Sequence, residues 1–135
     1  MNPITKYLVS FLKKSDGAIT VEGVLWVPIY AVFMALIVDT SLMFNGKSQA
    51  QRTLQDLNRL ASSGYYQSEA EIEARALTLL QHISTNVTVD ATIDTTTGTV
   101  SAIATMPASD LVALGVMSTF TDIQITVGAR HLIES

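Results

Sequence analysis

Two acidic side chains stand near the ends of a long apolar run, and they are the residues whose chemistry most needs an explanation. Glu22 lies near the start of the run from Ala18 to Phe44, and Asp39 lies near its end. An acid inside a membrane helix costs about 2.5–3.5 kcal/mol on insertion scales, so such residues usually have a specific partner. Glu22 therefore lies either at the headgroup boundary or beside a cation within the apolar slab. Asp39 is interpreted as an acid at the far interface.

The run is long enough to cross a bilayer as a helix. At about 1.5 Å per residue it would reach about 40 Å, compared with about 30 Å of hydrocarbon. Its uncharged part, Gly23 to Val38, is shorter than the usual span of about 20 residues, so at least one acid lies at the edge of the slab or inside it. Three lysines precede the run and favour a cytoplasmic N-terminus: Lys6, Lys13 and Lys14.

The residues around Glu22 resemble a known processing site. A basic leader ends at Gly17, and Glu22 is the fifth residue after that glycine in GAITVEGVLWVPIY. This pattern is similar to the opening of TadE-like pseudopilins, minor pilin-like proteins of the Tad/Flp pilus apparatus, in which a proline follows one to two turns later; Pro28 fits that proline. The resemblance implies cleavage after Gly17 by a membrane prepilin peptidase, which leaves Ala18 as the new N-terminus. The sequence differs from the major Flp pilins, in which a tyrosine follows the glutamate. Here Gly23 follows Glu22.

The resemblance also implies a location and partners. It implies an inner-membrane, single-pass pilus-assembly subunit without enzymatic activity, with a cytoplasmic leader (1–17), a transmembrane helix (18–44) and a periplasmic α+β domain (45–135). The implied partners are other pilin-like subunits, the pilus assembly platform, the prepilin peptidase and the lipid bilayer. An alternative is an uncleaved single-pass membrane protein whose periplasmic domain binds an envelope partner. A conventional signal peptide is a further alternative, although no Ala-x-Ala-like site follows Phe44.

Elementary electrostatics gives Glu22 and Pro28 possible roles in assembly. A new α-amino group at Ala18 would be a cation one helical turn from Glu22, and each charge could meet its counterpart on a neighbouring subunit. Two unit charges about 4 Å apart attract by about 4 kcal/mol at an effective dielectric near 20, which is enough to offset the insertion cost of the acid. Pro28 removes one helical hydrogen bond. It is either a kink without special purpose or a weak point that lets the helix stretch during assembly.

No set of residues in the sequence predicts catalysis, a metal or a cofactor. The two histidines, His82 and His131, lie on different predicted elements and lack the spacing of a metal site. Three glutamates, Glu69, Glu71 and Glu73, are interpreted as the solvated start of a helix, because alternate residues on a helix point in different directions. The chain has no cysteine, and its net charge of −4 argues against nucleic-acid binding.

The remaining pattern predicts a small domain around these features. The first helix continues beyond Phe44, with one apolar stripe of Ala50, Leu54, Leu57 and Ala61. A second helix begins at Ser68, which has capping-box spacing to Glu71, and its apolar stripe is Ile72, Ala76, Leu79, Leu80 and Ile83. Period-two alternation predicts a hairpin of Asn86–Asp94 and Thr99–Met106, followed by a last strand over Asp122–His131. The predicted fold class is α+β: a long N-terminal transmembrane helix and a second helix packed on a three-stranded antiparallel sheet, similar to pilin-like subunits.

Overall fold

The computed structural model describes residues 16–116, 119 and 122–133, and the side chains from residue 20 onward. Helix α1 spans Asp16–Ser62 and helix α2 spans Glu69–Leu80. Strands β1 (Thr88–Asp94), β2 (Thr99–Pro107) and β3 (Gln124–Leu132) follow, with a short 3₁₀ helix, Ala108–Leu111, after β2. The predicted α+β layout of a long apolar helix, a second helix and a three-stranded antiparallel sheet is confirmed.

The chain divides into two compact units, Met1–Ala35 and Leu36–Ser135. The described part of the first unit is a single helical segment of α1. The second unit contains the rest of α1, α2 and the sheet, and it has its own core. Leu54, Ile72, Leu80 and Val100 are among its fully buried side chains. The predicted apolar stripes of both helices contribute to this core, since Ala50, Leu54, Leu57, Ala61, Ile72, Ala76 and Leu80 are all buried.

The three strands pair in sequence order, β1-β2-β3, and both pairings are antiparallel. In β2, Val100, Ala102, Ala104 and Met106 alternate with less buried residues, so one face of the sheet meets the core. The opposite face carries Ile103, which is 48% exposed and pairs with Gly128 of β3. Burial in β2 therefore follows the period-two alternation from which the hairpin was predicted.

Asp94 closes the predicted hairpin between β1 and β2. Its carboxylate accepts hydrogen bonds from the backbone N–H groups of Thr96 and Thr97 and from the Thr97 hydroxyl, the last at 2.6 Å. These bonds, with the Thr97 hydroxyl as the largest contributor, lower the pKa of Asp94. Gly98 supplies the positive φ of 63° that ends the turn.

Asp110 joins the 3₁₀ helix to the segment that follows α2. The Ser84 hydroxyl donates to Asp110 Oδ2 at 2.6 Å, and Asn86 donates from both its backbone nitrogen and its side-chain amide. The hydrogen bond from Ser84 is the main reason that the pKa of Asp110 lies below its ordinary value. These hydrogen bonds hold the segment after β2 against the segment before β1.

The start of α2 confirms the predicted capping box. Ser68 accepts a hydrogen bond from the backbone N–H of Glu71 at 3.3 Å, and Glu71 accepts one from the backbone N–H of Gln67 at 3.1 Å. The interpretation of the three glutamates as a purely solvated helix start is incomplete. Glu69 and Glu73 lie four residues apart on one face, and they accept the backbone N–H groups of Ile93 (2.8 Å) and Ala91 (3.0 Å) in the edge strand β1.

Candidate functional site

The candidate site is the first half of α1, where apolar side chains are uncovered on every side. One helix of the described residues, α1, is long and apolar enough to cross a membrane, and none of its most apolar 18-residue stretch is buried. Consecutive residues point in different directions around a helix, yet Val24, Leu25 and Val27 are all 64–65% exposed. A helix that is apolar on all sides needs a lipid or protein environment to cover it. The core helix of a soluble protein would instead be mostly buried.

Glu22 is an exposed side chain within this apolar surface, and Val21 and Val24 beside it are 61% and 65% exposed. Its carboxylate is therefore open to a partner outside the chain. Gly17 and Ala18, the predicted processing site, lie in the first turn of α1, which begins at Asp16. The predicted leader before Asp16, including its three lysines, lies outside the described residues.

Pro28 lies inside α1, and the helix continues on both sides of it. Proline has no N–H, so the carbonyl of Val24 lacks the usual donor four residues later. Trp26 and Tyr30 flank this position, with ring centroids 6.0 Å apart and tilted planes. The turn of α1 at Pro28 therefore has one backbone hydrogen bond fewer than an uninterrupted helix. This turn lies in the middle of the apolar stretch.

Asp39 has a role that the sequence did not predict. Its side chain is fully buried in the second unit. Oδ1 accepts the backbone N–H of Leu114, and Oδ2 accepts that of Val116, both at 2.9 Å. The carboxylate thus fastens the loop 112–116 to α1 at the residue that ends the uncharged run. No local pattern around Asp39 could have revealed this contact, because its partners are more than seventy residues away in the sequence.

Gly46 marks a second close contact between α1 and the segment after β2. A Cβ atom at Gly46 would lie 2.6 Å from Leu111 Cδ2, a distance that real Cβ atoms do not show. Gly46 is buried within a continuous helix, so it is a point of close packing. Asp39 shows that one face of α1 enters the domain before Phe44, and Gly46 shows that the same helix stays closely packed after it.

Two open grooves lie elsewhere on the second unit. The larger, of about 570 Å³, is lined by Tyr65, Tyr66, Glu71, Ala74, Arg75 and Thr78. The smaller, of about 250 Å³, lies between α1 and β3 and includes Phe44, Lys47 and Ile125. Among residues 16–116, 119 and 122–133, no three His, Cys, Asp or Glu side chains are grouped so that they could hold a metal ion.

Comparisons of this chain with protein-family models, with curated proteins and with solved structures find no match.

Proposed function

We propose that this chain is a TadE-like pseudopilin, a minor pilin-like subunit that assists assembly of a Tad/Flp-type adhesive pilus. The observation that carries the proposal is the exposed acid Glu22 within an uncovered apolar helix, at the fifth position after Gly17. In this proposal α1 anchors the chain in the inner membrane, its N-terminus is cytoplasmic, and the α+β domain is periplasmic. A prepilin peptidase cuts after Gly17.

The proposed assembly contact is an ion pair between subunits. Cleavage would create a cationic amino group at Ala18, and Glu22 lies one turn further along the helix. An acid exposed among apolar side chains is costly in lipid unless a cation meets it. An amino group about 4 Å away would contribute about 4 kcal/mol at an effective dielectric near 20. Such a pair would fix the stagger between adjacent helices as well as their affinity.

The buried face of α1 favours a retained anchor over a removed signal peptide. A signal sequence near the N-terminus also satisfies the length and composition of a membrane span. Cleavage near Phe44 would remove Asp39, whose carboxylate satisfies two backbone N–H groups of the domain. This cut would therefore release the loop that Asp39 holds against the rest of the domain.

The first test is the N-terminal sequence and intact mass of the protein recovered from membranes, with and without a co-expressed prepilin peptidase. We expect a chain that starts at Ala18 only when the peptidase is present. Gly17→Ala is the matched control. The resemblance to prepilins places the cut after this glycine, so the variant should stay uncut. A chain that starts at Met1 under both conditions would favour the alternative, a permanent single-pass anchor whose periplasmic domain binds an envelope partner.

The second test concerns Glu22. The chain contains no cysteine, so a single cysteine at the exposed position Val27 can report contacts between processed subunits by disulfide crosslinking in membranes. Glu22→Gln should leave membrane insertion unchanged and reduce crosslinking at least tenfold, because the attraction of about 4 kcal/mol is well above the roughly 1.4 kcal/mol that corresponds to a factor of ten in association. Asp56→Asn removes the same charge from an exposed position further along α1 and should not change the yield. Equal crosslinking in the Glu22→Gln and unmodified proteins would contradict the ion pair.

A further inference from the structure

The loop 112–116 is an apolar loop on the surface of the second unit. Its sequence is Val-Ala-Leu-Gly-Val, without a charged or polar side chain. Leu114 is 60% exposed, and Ala113 beside it is also exposed. Loops on soluble domains generally carry turn-forming polar residues, so an exposed loop without any polar side chain is well suited to an apolar environment.

Two contacts fix the position of this loop along α1. Leu111, just before the loop, packs against Gly46, while the N–H groups of Leu114 and Val116 bind Asp39. Gly46 is seven positions after Asp39 on the helix, which corresponds to about 10 Å. The chain therefore runs along α1 from Gly46 back toward Asp39, in the direction of the uncharged run.

Asp39 is also the first charged residue after the uncharged part of the apolar run, Gly23 to Val38. Counted from Ala18, Asp39 lies about 30 Å along the helix, which matches the hydrocarbon thickness of a bilayer. The two helix residues just before it, Ile37 and Val38, are 62% and 45% exposed. Ile37, Val38 and Leu114 are thus apolar, uncovered and close to the same helical turn.

We propose that the loop 112–116 contacts the lipid bilayer, with Leu114 inserted at the boundary between headgroups and acyl chains on the outer side. This inference rests on the membrane anchoring in the proposed function, but not on cleavage or pilus assembly. Lipid is the occupant that the position of the loop favours, because Asp39 holds the loop at the end of the segment that lipid would already cover. The Asp39 carboxylate binds the backbone of the loop and so fixes the depth of the loop in the bilayer. This contact does not depend on which side chains the loop carries.

Fluorescence from single tryptophans can test this contact in the full-length, uncleaved chain. In a Trp26→Phe background, one variant carries Leu114→Trp, and the control carries Leu132→Trp. Leu132 is 70% exposed and lies at the far end of β3 from Gln124, about 27 Å away along the strand. Both proteins are placed in phosphatidylcholine vesicles whose acyl chains are brominated just below the headgroup, because bromine quenches only a nearby indole.

We expect the tryptophan at position 114 to lose most of its emission in brominated vesicles, whereas bromine should not quench the tryptophan at position 132. The tryptophan at 114 should also emit at a shorter wavelength than the one at 132. Ala113→Trp repeats the test at the adjacent exposed position in case the larger side chain at 114 disturbs the loop. Equal emission at 113, 114 and 132 with and without bromine would overturn the proposal, and so would equal quenching of the tryptophans at 114 and 132.

The unmodified Trp26, measured in a second set of vesicles brominated near the middle of the acyl chains, separates this proposal from the proposed function, because Trp26 is eight residues, or about 12 Å of helix, beyond Ala18. If Trp26 is quenched and the tryptophans at 113 and 114 are not, the anchor stands and the loop contact is wrong. If Trp26 itself is not quenched, the membrane anchor fails, and the loop proposal fails with it. Absence of peptidase cleavage would overturn the pilin assignment without affecting this measurement.

Discussion

Asp39 and Glu22 are acids on one helix whose surroundings differ completely. Glu22 is exposed among apolar side chains, whereas Asp39 is buried with two backbone N–H groups at 2.9 Å. Hydrogen bonds from N–H donors to a carboxylate are stronger than those between neutral groups, so these two bonds help to stabilise the buried charge of Asp39. The Glu22 carboxylate is exposed and accessible to a neighbouring subunit, which makes it the better candidate for an assembly contact.

Gly46 gives a prediction at the scale of a single residue. Gly46→Val should destabilise the domain by about 1–3 kcal/mol, because the new side chain occupies the space of Leu111. The loss should show as a lower urea midpoint with an unchanged slope. The double variant Gly46→Val/Leu111→Ala should cost less than the sum of the two single changes, since the truncation removes the clash. Strictly additive costs would mean that the two side chains do not compete for one space.

Asn58 shows how a single polar side chain ties two elements together. It is fully buried on α1, and its amide donates to the carbonyl of Ala129 in β3 at 2.7 Å. Its Oδ1 atom is buried without a hydrogen-bond partner among the described residues. The unpaired Oδ1 offsets part of the free energy gained from the bond to β3. Asn58 therefore fixes the position of α1 against β3 more than it stabilises the domain.

At the scale of elements, α1 changes its environment along its length. Before Ala35 its side chains are exposed on all sides, and from Asp39 onward one stripe is buried at helical spacing. The same regular backbone serves both environments because all of its interior hydrogen bonds lie within the helix, whatever surrounds it. The two parts of α1 therefore differ in their side chains and not in their backbone conformation.

The edge strand β1 gives a prediction for an element. Glu69→Ala and Glu73→Ala should speed amide hydrogen exchange at Ile93 and Ala91 respectively, because each substitution removes the acceptor of that N–H. Glu69→Gln and Glu73→Gln keep an acceptor oxygen and should retain most of the protection. Edge strands with unpaired N–H groups also invite pairing with other chains. If the alanine and glutamine variants exchange at the same rate, these bonds do not protect the edge.

For the whole molecule, the division into two units predicts two kinds of unfolding. In detergent micelles, heating should melt the second unit cooperatively, because it depends on its buried core. The helix of the first unit should persist, because its backbone hydrogen bonds are internal and detergent covers its apolar side chains. Leu54→Ala should lower the free energy of unfolding by about 2–5 kcal/mol and the midpoint by about 10 °C or more. Val24→Ala, at an exposed position of the first unit, should not shift the midpoint. A single transition that removes all helical signal would contradict this independence.

Local patterns in the sequence predict the helices, the strands and the buried stripes of both helices. The apolar run, the stripe from Ala50 to Ala61, the Ser68 cap and the alternation of the strands all depend on residues close together in the chain, and local periodicity reports them directly. The same locality identified Glu22 and Pro28 as candidates, since both are exceptions within a uniform apolar run.

Only the tertiary structure decided which distant groups meet. The bonds of Asp39 to Leu114 and Val116, the contact of Gly46 with Leu111, and the pairing of Glu69 and Glu73 with β1 each join residues from separate elements. No periodic pattern records such contacts, because an acid or a glycine on a helix looks the same in sequence whether it faces solvent, lipid or another backbone. The packing of the sheet and the two helices selects the partner.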